Sequence, residues 1–475
     1  MKDAKTSMKP LVLDVDGTFL KTDMLLESFW QALGRAPIAT LRAAFSNLTN
    51  RAALKKALAE IAELRTDLLP TNPDVADLAQ QSIREGREVI LASGSDISLV
   101  SRLADDHKIL SRVFASDGTT NMTGTRKAAA LVKAYGKGGF DYAGDSIVDK
   151  PVWQAAENAI IVGHHPHIAA ELARAGGNVE EFHHRWRKRD LIRALRPHQW
   201  VKNVLLFLPL IAAHRVDFAG VMIVLVAAIA FSLAASTIYI VNDLLDLEAD
   251  RLHPKKQHRP FASGAVPILV GMITALGIGT FALGLALAMS WAMLGVVGLY
   301  MILSLAYSLK LKKMRWVDIA TLAGLYSMRV IAGAVAAKVI ASGFLVAFIF
   351  PTFLTLGCVK RLTELALAQS DDPLPGRGYG RKDRGDLLNV AGLGIFGALL
   401  VFFLYSFTDT ATRLYAFQWQ LWVALIPIAA WLTRMVRLGW KGEMDYDPIV
   451  FAMRDKYGLA LILLTLTVMF TAVGG

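Results

Sequence analysis

Two groups of side chains carry the chemistry this chain could do. In the first, short apolar runs end in reactive residues. PLVLDVDGTFLKTD places Asp14 and Asp16 after one run, and REVILASGSD passes through Ser93. Lys127 opens a helical stretch, and FDYAGDSIVDKPVW carries Asp145 and Asp149. The turn after a buried strand is where α/β folds hold their ligands. Alone, a DxDGT run arises by chance and a Ser at a strand end usually caps the next helix; in this order and spacing they form a coherent set. The second group lies in NDLLDLEADRLHPKKQHRP. There Asn242, Asp243, Asp246 and Asp250 close a long apolar run, and Lys255, Lys256 and Arg259 follow. Carboxylates at a membrane edge are costly and mark function. On a continuous helix these aspartates share one narrow face, where they repel unless a cation sits among them. Hard oxygen donors with room for water suit Mg²⁺ on a diphosphate, and the cations beyond Pro254 can reach further phosphate oxygens.

The elements that must position these groups follow from the distribution of apolar residues. The 475 residues are 54% hydrophobic with mean hydropathy +0.42, but unevenly so. Residues 1–200 are rich in charge; from about 200 onward, long apolar runs alternate with basic loops. This predicts an α/β domain over 1–180 with a helical cap at about 25–87. The cap carries Phe29, Trp30, Arg35, Leu41, Arg42 and Phe45, and its basic positions interleave with apolar ones, as in an amphipathic cap with a solvated face or one lying near lipid headgroups. A basic amphipathic helical connector follows over 181–200, with Trp186 and Trp200 as interface anchors. An all-α membrane domain occupies 201–475. About nine spans begin near Val204, Phe218, Val266, Trp291, Trp316, Ser342, Leu387, Gln418 and Tyr457, and Asp318 and Arg329 inside the fifth suggest a polar cavity.

The net charge is +11, and the cations sit mainly between apolar runs, which fits anionic lipid better than nucleic acid. Alternate loops carry basic clusters, whereas the others hold only Arg215, Lys338 and Arg413. This predicts a multi-pass protein of the inner (cytoplasmic) membrane with its N-terminal domain in the cytoplasm. The N-terminal stretch has no long apolar core or cleavage site, so no signal peptide is expected. The single cysteine, Cys358, reads as a packing residue.

The first set of motifs resembles the haloacid-dehalogenase (HAD) superfamily of phosphatases over residues 10–175. The resemblance implies an HAD-like Rossmannoid domain with Asp14 as nucleophile and Asp16 as general acid and base. Ser93 and Lys127 would hold phosphate oxygens. Asp145, with Asp14 and the backbone carbonyl of Asp16, would bind Mg²⁺, supported by Asp149, so that a carboxylate can approach a phosphoryl group.

From Arg196 onward the chain resembles the UbiA superfamily of intramembrane prenyltransferases. RPHQWVKN, YSLKLKKMRWVDIA, MRVIAGAVA, VKRLTEL and MRDKYG resemble its polyprenyl-phosphate phosphoribosyltransferase branch, of the decaprenyl-phosphate type. That branch uses phosphoribosyl pyrophosphate as donor and a lipid phosphate as acceptor. The resemblance implies a second Mg²⁺ held by Asp243, Asp246 and Asp250. Lys202, Asn203, Asn242, Lys255, Lys256, Arg259, Tyr307, Lys312, Asp318, Arg329, Lys360 and Arg361 would line the substrate cavity. The aromatic branch carries a second aspartate motif where this chain has Lys360, Arg361 and Glu364. Cations there imply more anionic groups than one metal-bound diphosphate. The expectation is a bifunctional enzyme: phosphoribosyl transfer to polyprenyl phosphate, then removal of the 5-phosphate to give a precursor of cell-envelope pentose donors. The alternatives are an aromatic or quinone prenyltransferase with an accessory phosphatase, and a lipid-binding anchor or transporter. The loop Ala368–Asp386 reads as a lid over the cavity or a linker.

Overall fold

The computed structural model describes residues 8–109, 112–183, 185–214, 217–339, 342–368, 377–444 and 447–473. The core of the expected lid or linker, 369–376, lies outside them. The chain divides into two compact units, Met1–Leu195 with Tyr239–Ala275, and Arg196–Ile238 with Leu276–Gly475. Residues 239–275, read from sequence as part of the membrane domain, thus group with the α/β half.

The first unit is built on six strands, β1 (Leu11–Leu13), β2 (Val89–Asp96), β3 (Val113–Ser116), β4 (Asp141–Gly144), β5 (Asn158–Val162) and β6 (Asn178–Phe182). They pair in parallel in the order β3-β2-β1-β4-β5-β6. β1 and β2 are buried throughout, as strands covered by helices on both faces must be. Successive side chains point to opposite faces. Leu11, Leu13 and Leu91 therefore enter one core, Val12, Ile90 and Tyr142 the other. The strand order reverses between β1 and β4, and the carboxyl ends of the strands there form the crevice where such sheets bind ligands.

The insertion before β2 comprises α1 (Met24–Arg35), α2 (Pro37–Ser46), α3 (Arg51–Ala62) and α4 (Pro73–Arg84). Asp23 and Asn50 cap α1 and α3 by accepting from Leu26 N and Ala53 N, satisfying otherwise orphaned first-turn donors. Much of the insertion packs against the sheet. Met24, Ala32, Leu58, Ala62, Val75 and Ala79 share one core with β1 and β2. Only α2 stands apart, with Thr40 its single buried residue.

Two helices expected to be continuous are interrupted. The Phe218–Leu245 helix breaks at Asp246 (φ −105°, ψ 18°) before a short helix, Leu247–Leu252. The i to i−4 hydrogen bonds nevertheless continue through the break, from Asp246 N to Asn242 O at 3.0 Å and from Asp250 N to Asp246 O at 2.8 Å, and Arg259 reaches both Asp243 and Asp250. Asp is a weak helix former that favours terminal positions. The connector is likewise not one helix. Lys188–Leu195 ends at Arg196, which takes a left-handed conformation (φ 52°) before Pro197; proline disfavours helical geometry in the residue ahead of it.

Among the described residues seven helices are long and apolar enough to cross a membrane, against the nine expected. They are Phe218–Leu245, Ile268–Met289, Trp291–Leu309, Val317–Ala337, Gly343–Ala366, Arg381–Tyr405 and Trp419–Lys441. The other two segments differ from full α-spans. Lys456–Ala472 has 17 residues. The run at Val204 is an 11-residue 3₁₀ helix, Pro197–Phe207, then five α-helical residues, Leu208–Ala212. At about 2.0 and 1.5 Å rise per residue the apolar part, Val204–Ala212, extends about 16 Å, roughly half a bilayer core's thickness. In the second unit Val317–Ala337 is the most enclosed of these helices, with 78% of its apolar window buried. Polar side chains on it must therefore find partners inside the protein.

Candidate active sites

In the α/β unit the strand ends bring the first residue set together. Asp14 follows β1, and its Oδ1 accepts from Lys127 Nζ at 2.8 Å. Lys127 also donates to Tyr142 Oη (2.8 Å) and Asp149 Oδ1 (3.1 Å), and Tyr142 Oη donates to the same Asp149 oxygen at 2.8 Å. Tyr142 reads in the sequence as an ordinary strand residue, with nothing to mark it as functional. Burial alone pulls the Lys127 ammonium down, but Asp14 and Asp149 outweigh it and hold its pKa above the ordinary value.

Asp14, Asp145 and Asp149 each offer a carboxylate oxygen within 4.8 Å of the others. Burial raises Asp14 well above the usual carboxylate range, with Lys127 opposing. Burial, then Asp149 and Asp16, push Asp145 to about 7. Asp149 Oδ2 is buried without a hydrogen-bond partner. Three hard oxygens, mutually repelling and one of them unsatisfied, fit Mg²⁺. The backbone is shaped around them. Gly17 (φ +78°) leaves room where a Cβ would lie 2.1 Å from Asp145 Oδ2.

Asp16 and Ser93 are also adjacent. Asp16 Oδ2 accepts from Ser93 Oγ (3.0 Å) and Ser95 Oγ (2.7 Å), and Oδ1 accepts from Met24 N at 2.7 Å. Its side chain is thus fixed between β2 and the start of α1. Lys55, from α3, reaches the same crevice, donating to Gly94 O at 2.6 Å and Asn121 Oδ1 at 3.1 Å.

The aspartate segment belongs to the same unit and is organised by arginines. Arg259 Nη1 lies 3.1 Å from Asp243 Oδ1 and 2.6 Å from Asp250 Oδ2, with both carboxylates buried. The donor chemistry fits Mg²⁺, but a guanidinium holds the place between two of the carboxylates, and Asp246 sits at the helix break. Burial raises the Asp250 carboxyl, with Arg259 lowering it. Lys255 and Lys256 are exposed, and Asn242 is half-buried. Arg251, directly after Asp250, turns toward α1. It grips Glu27 of α1 with Nη2–Oε1 at 2.5 Å and Nη1–Oε2 at 3.1 Å, and its Nε donates to Ala262 O at 3.0 Å.

The second unit holds two polar clusters. In one, Arg361 is wholly buried and lies against Asp318 (Nε–Oδ2 2.5 Å, Nη2–Oδ1 3.0 Å), Tyr307 Oη (3.0 Å) and Glu364. Tyr307 Oη donates to Asp318 Oδ1 at 2.8 Å, and Arg377 Nη1 reaches both Tyr307 Oη and Asp318 Oδ1, at 3.0 and 3.3 Å. Arg361, Asp318 and Tyr307 thus satisfy one another, whereas the sequence reading set each toward substrate. Breaking such a buried pair costs about 3–5 kcal/mol.

In the other cluster Lys202 pairs with Asp447, which also caps the Pro448–Ala452 helix. Arg329 donates to Asn203 Oδ1 (3.1 Å) and Tyr300 Oη (3.1 Å) and lies over the rings of Phe231, Tyr300 and Tyr326 at 5.5, 5.1 and 5.4 Å, a cation–π cage. Asn203 donates to Ser232 Oγ at 2.7 Å. Lys360 is half-buried on Gly343–Ala366, and Lys312 is half-buried in a 3₁₀ turn, Leu311–Lys313. Asp447 was missed from sequence; an Asp before Pro and an apolar run signals only a helix cap.

The UbiA prenyltransferase family model matches residues 204–454. The chain is 33% identical to an uncharacterized protein, y4nM, of Sinorhizobium fredii, over 94% of this chain and 88% of that one. It is 32% identical to the nodulation protein NoeC of Azorhizobium caulinodans, over 57% of this chain and 89% of that one. It is 33% identical to a decaprenyl-phosphate phosphoribosyltransferase of Mycobacterium tuberculosis, over 56% of this chain and 88% of that enzyme. With these matches, and with seven helices among the described residues apolar and long enough to cross a membrane, the chain belongs to the UbiA prenyltransferase family as a multi-pass membrane protein that also carries an N-terminal α/β domain with a parallel sheet.

Proposed function

We propose that the membrane half transfers 5-phosphoribosyl from phosphoribosyl pyrophosphate to a polyprenyl phosphate, and that the α/β domain is an HAD-type phosphatase that then removes the 5-phosphate. The observation that carries the reading is the 33% identity over 273 residues to a decaprenyl-phosphate phosphoribosyltransferase. Lys360 and Arg361, in place of a second aspartate pair, support it.

In the transfer, an oxygen of the lipid phosphate attacks the anomeric carbon as the bond to pyrophosphate breaks. Asp243, Asp246 and Asp250 would hold Mg²⁺, which when bound neutralises the leaving diphosphate. Arg259 leaves its carboxylates for phosphate oxygens, and Lys255 and Lys256 offset further charge. Lys202, Asn203, Lys312, Arg329 and Lys360 are assigned to the remaining phosphate and ribose oxygens. Arg361, Asp318 and Tyr307 keep the helix ends beneath them in place.

In the second step Asp14 attacks the 5-phosphate, Asp16 protonates the departing ribose oxygen, and Asp16 then takes a proton from the water that releases phosphate. Lys127 holds a phosphate oxygen and keeps Asp14 oriented. Asp14, Asp145 and Asp149 would hold the second Mg²⁺, which when bound screens the two approaching anions. One chain carrying both activities raises the effective concentration of the intermediate. Both steps take place at the cytoplasmic face of the inner membrane.

Purified full-length protein given Mg²⁺, phosphoribosyl pyrophosphate and polyprenyl phosphate is expected to yield polyprenyl phosphoribose by mass spectrometry. Asp14→Asn should accumulate the 5-phosphorylated lipid, and Asp243→Ala should make neither. No phosphoribosylated lipid from the wild-type chain refutes the transferase reading. Dephosphorylated product from Asp14→Asn refutes the phosphatase step alone.

A further inference from the structure

The helix α2 presents an apolar stripe to the outside. Ile38, Leu41 and Phe45, spaced three and four apart on one helix face, are 85%, 45% and 71% exposed, and Leu48 just beyond is 69% exposed. Thr40, on the opposite side, is buried. The inward face is already served, so the stripe is not a misplaced core. Large apolar side chains grouped in this way mark a contact surface.

Two observations name the occupant. The first is charge. From Ser28 to Ala59 the chain has five basic residues, Arg35, Arg42, Arg51, Lys55 and Lys56, and no acidic one. Arg42 and Arg51 are exposed beside the stripe. The second is continuity with a membrane span. Gly34, near the end of α1, lies where a Cβ would be 3.5 Å from Leu245 O, the last residue of the Phe218–Leu245 span. Gln31 hydrogen-bonds Glu248 just beyond it. The polar residues from Asn242 onward mark that end as the headgroup level, and α2 begins three residues after Gly34.

We propose that α2 lies in the headgroup layer of the membrane the chain spans, with Ile38, Leu41, Phe45 and Leu48 dipped toward the acyl chains and Arg42 and Arg51 on anionic headgroups. This is the arrangement of an interfacial amphipathic helix. It keeps the α/β unit on the bilayer surface independently of what either half catalyses.

The test uses the full-length protein with Phe45→Cys, Leu48→Cys or, as a water-facing control on α4, Asp77→Cys. Each is labelled with an environment-sensitive fluorophore and reconstituted in nanodiscs of phosphatidylcholine with phosphatidylglycerol. Cys358 is buried, and wild-type protein taken through labelling gives the background. Labels at 45 and 48 are expected to emit at shorter wavelength than at 77. Spin-labelled lipid should quench them at least about twofold more, and aqueous iodide should reach them less. Iodide access equal to that at position 77 overturns the proposal. Shielding that appears in lipid-free detergent and grows with protein concentration also overturns it, in favour of a second copy on this face.

Discussion

Glu27 and Arg251, 224 residues apart, form a two-bond ion pair with both side chains buried. Thr22 adds a hydroxyl to Glu27 Oε1 at 2.7 Å. The pair joins the helix whose first amide holds Asp16 to the segment that carries Asp243 and Asp250. A fork-to-fork carboxylate–guanidinium contact fixes orientation as well as distance. Glu27→Ala leaves a buried guanidinium unpaired, which costs about 3–5 kcal/mol. The expected result is a lower melting temperature in detergent and a loss of both activities. The double variant Glu27→Met with Arg251→Met should recover most of the stability. A melting temperature in Glu27→Ala equal to wild type would show that the pair contributes nothing.

In the proposed transfer, Arg259 must give up its ion pairs to Asp243 and Asp250 before metal can bind them. In a chain whose first site is silenced by Asp145→Asn, Arg259→Ala should bind Mn²⁺ more tightly without substrate, measured by electron paramagnetic resonance titration. The same substitution should lower kcat/KM for phosphoribosyl pyrophosphate by about 10- to 100-fold, the worth of a charged hydrogen bond. Unchanged metal affinity would mean the guanidinium does not guard these carboxylates.

The raised Asp14 and Asp145 carboxyls make the α/β site sensitive to pH. Between the ordinary carboxylate pKa and about 7, folded Asp145 binds more protons than the unfolded chain, so its contribution to stability falls as pH rises through that window. Mg²⁺ requires the deprotonated ligands. Its stabilising effect should therefore be larger at pH 8 than at pH 6, read as the metal-induced rise in melting temperature at each pH. Equal rises would show that neither carboxyl titrates on metal binding.

The 3₁₀ segment packs on the enclosed Val317–Ala337 helix through a glycine. A Cβ at Gly333 would lie 1.9 Å from Leu206 O, a backbone atom that cannot rotate away. Gly333→Ala should destabilise the protein by about 1–3 kcal/mol, the range for overpacking, and displace Lys202 and Asn203 with the segment. Gly298→Ala, with open space around it, is the control. Calorimetric melting in one detergent compares them.

Much of the α/β crevice was legible because parallel topology collects the carboxyl ends of β1, β2 and β4. A motif residue after each strand is then brought near the others by the sheet itself. Tyr142 was not legible, since a strand Tyr normally reads as core, and only the fold shows its hydroxyl between Lys127 and Asp149. The break at Asp246 has no Gly or Pro to announce it. The cations of VKRLTEL were visible, but their direction was not. Arg361 is turned inward by Asp318, which lies 43 residues away, and no local pattern encodes a pairing across two helices. Glu27 with Arg251 is the same lesson at longer range.

The grouping of residues 239–275 with the α/β unit makes the apparent fusion point near Leu195 a poor place to divide the molecule. A fragment ending there would bare the carboxylate of Glu27 and the notch at Gly34 to water. The complementary fragment would lose the wall against which Arg251 is seated. The α/β half is therefore not a detachable passenger. Either half is more readily silenced by a single substitution than by excision, and variants that keep one activity should be sought as full-length chains.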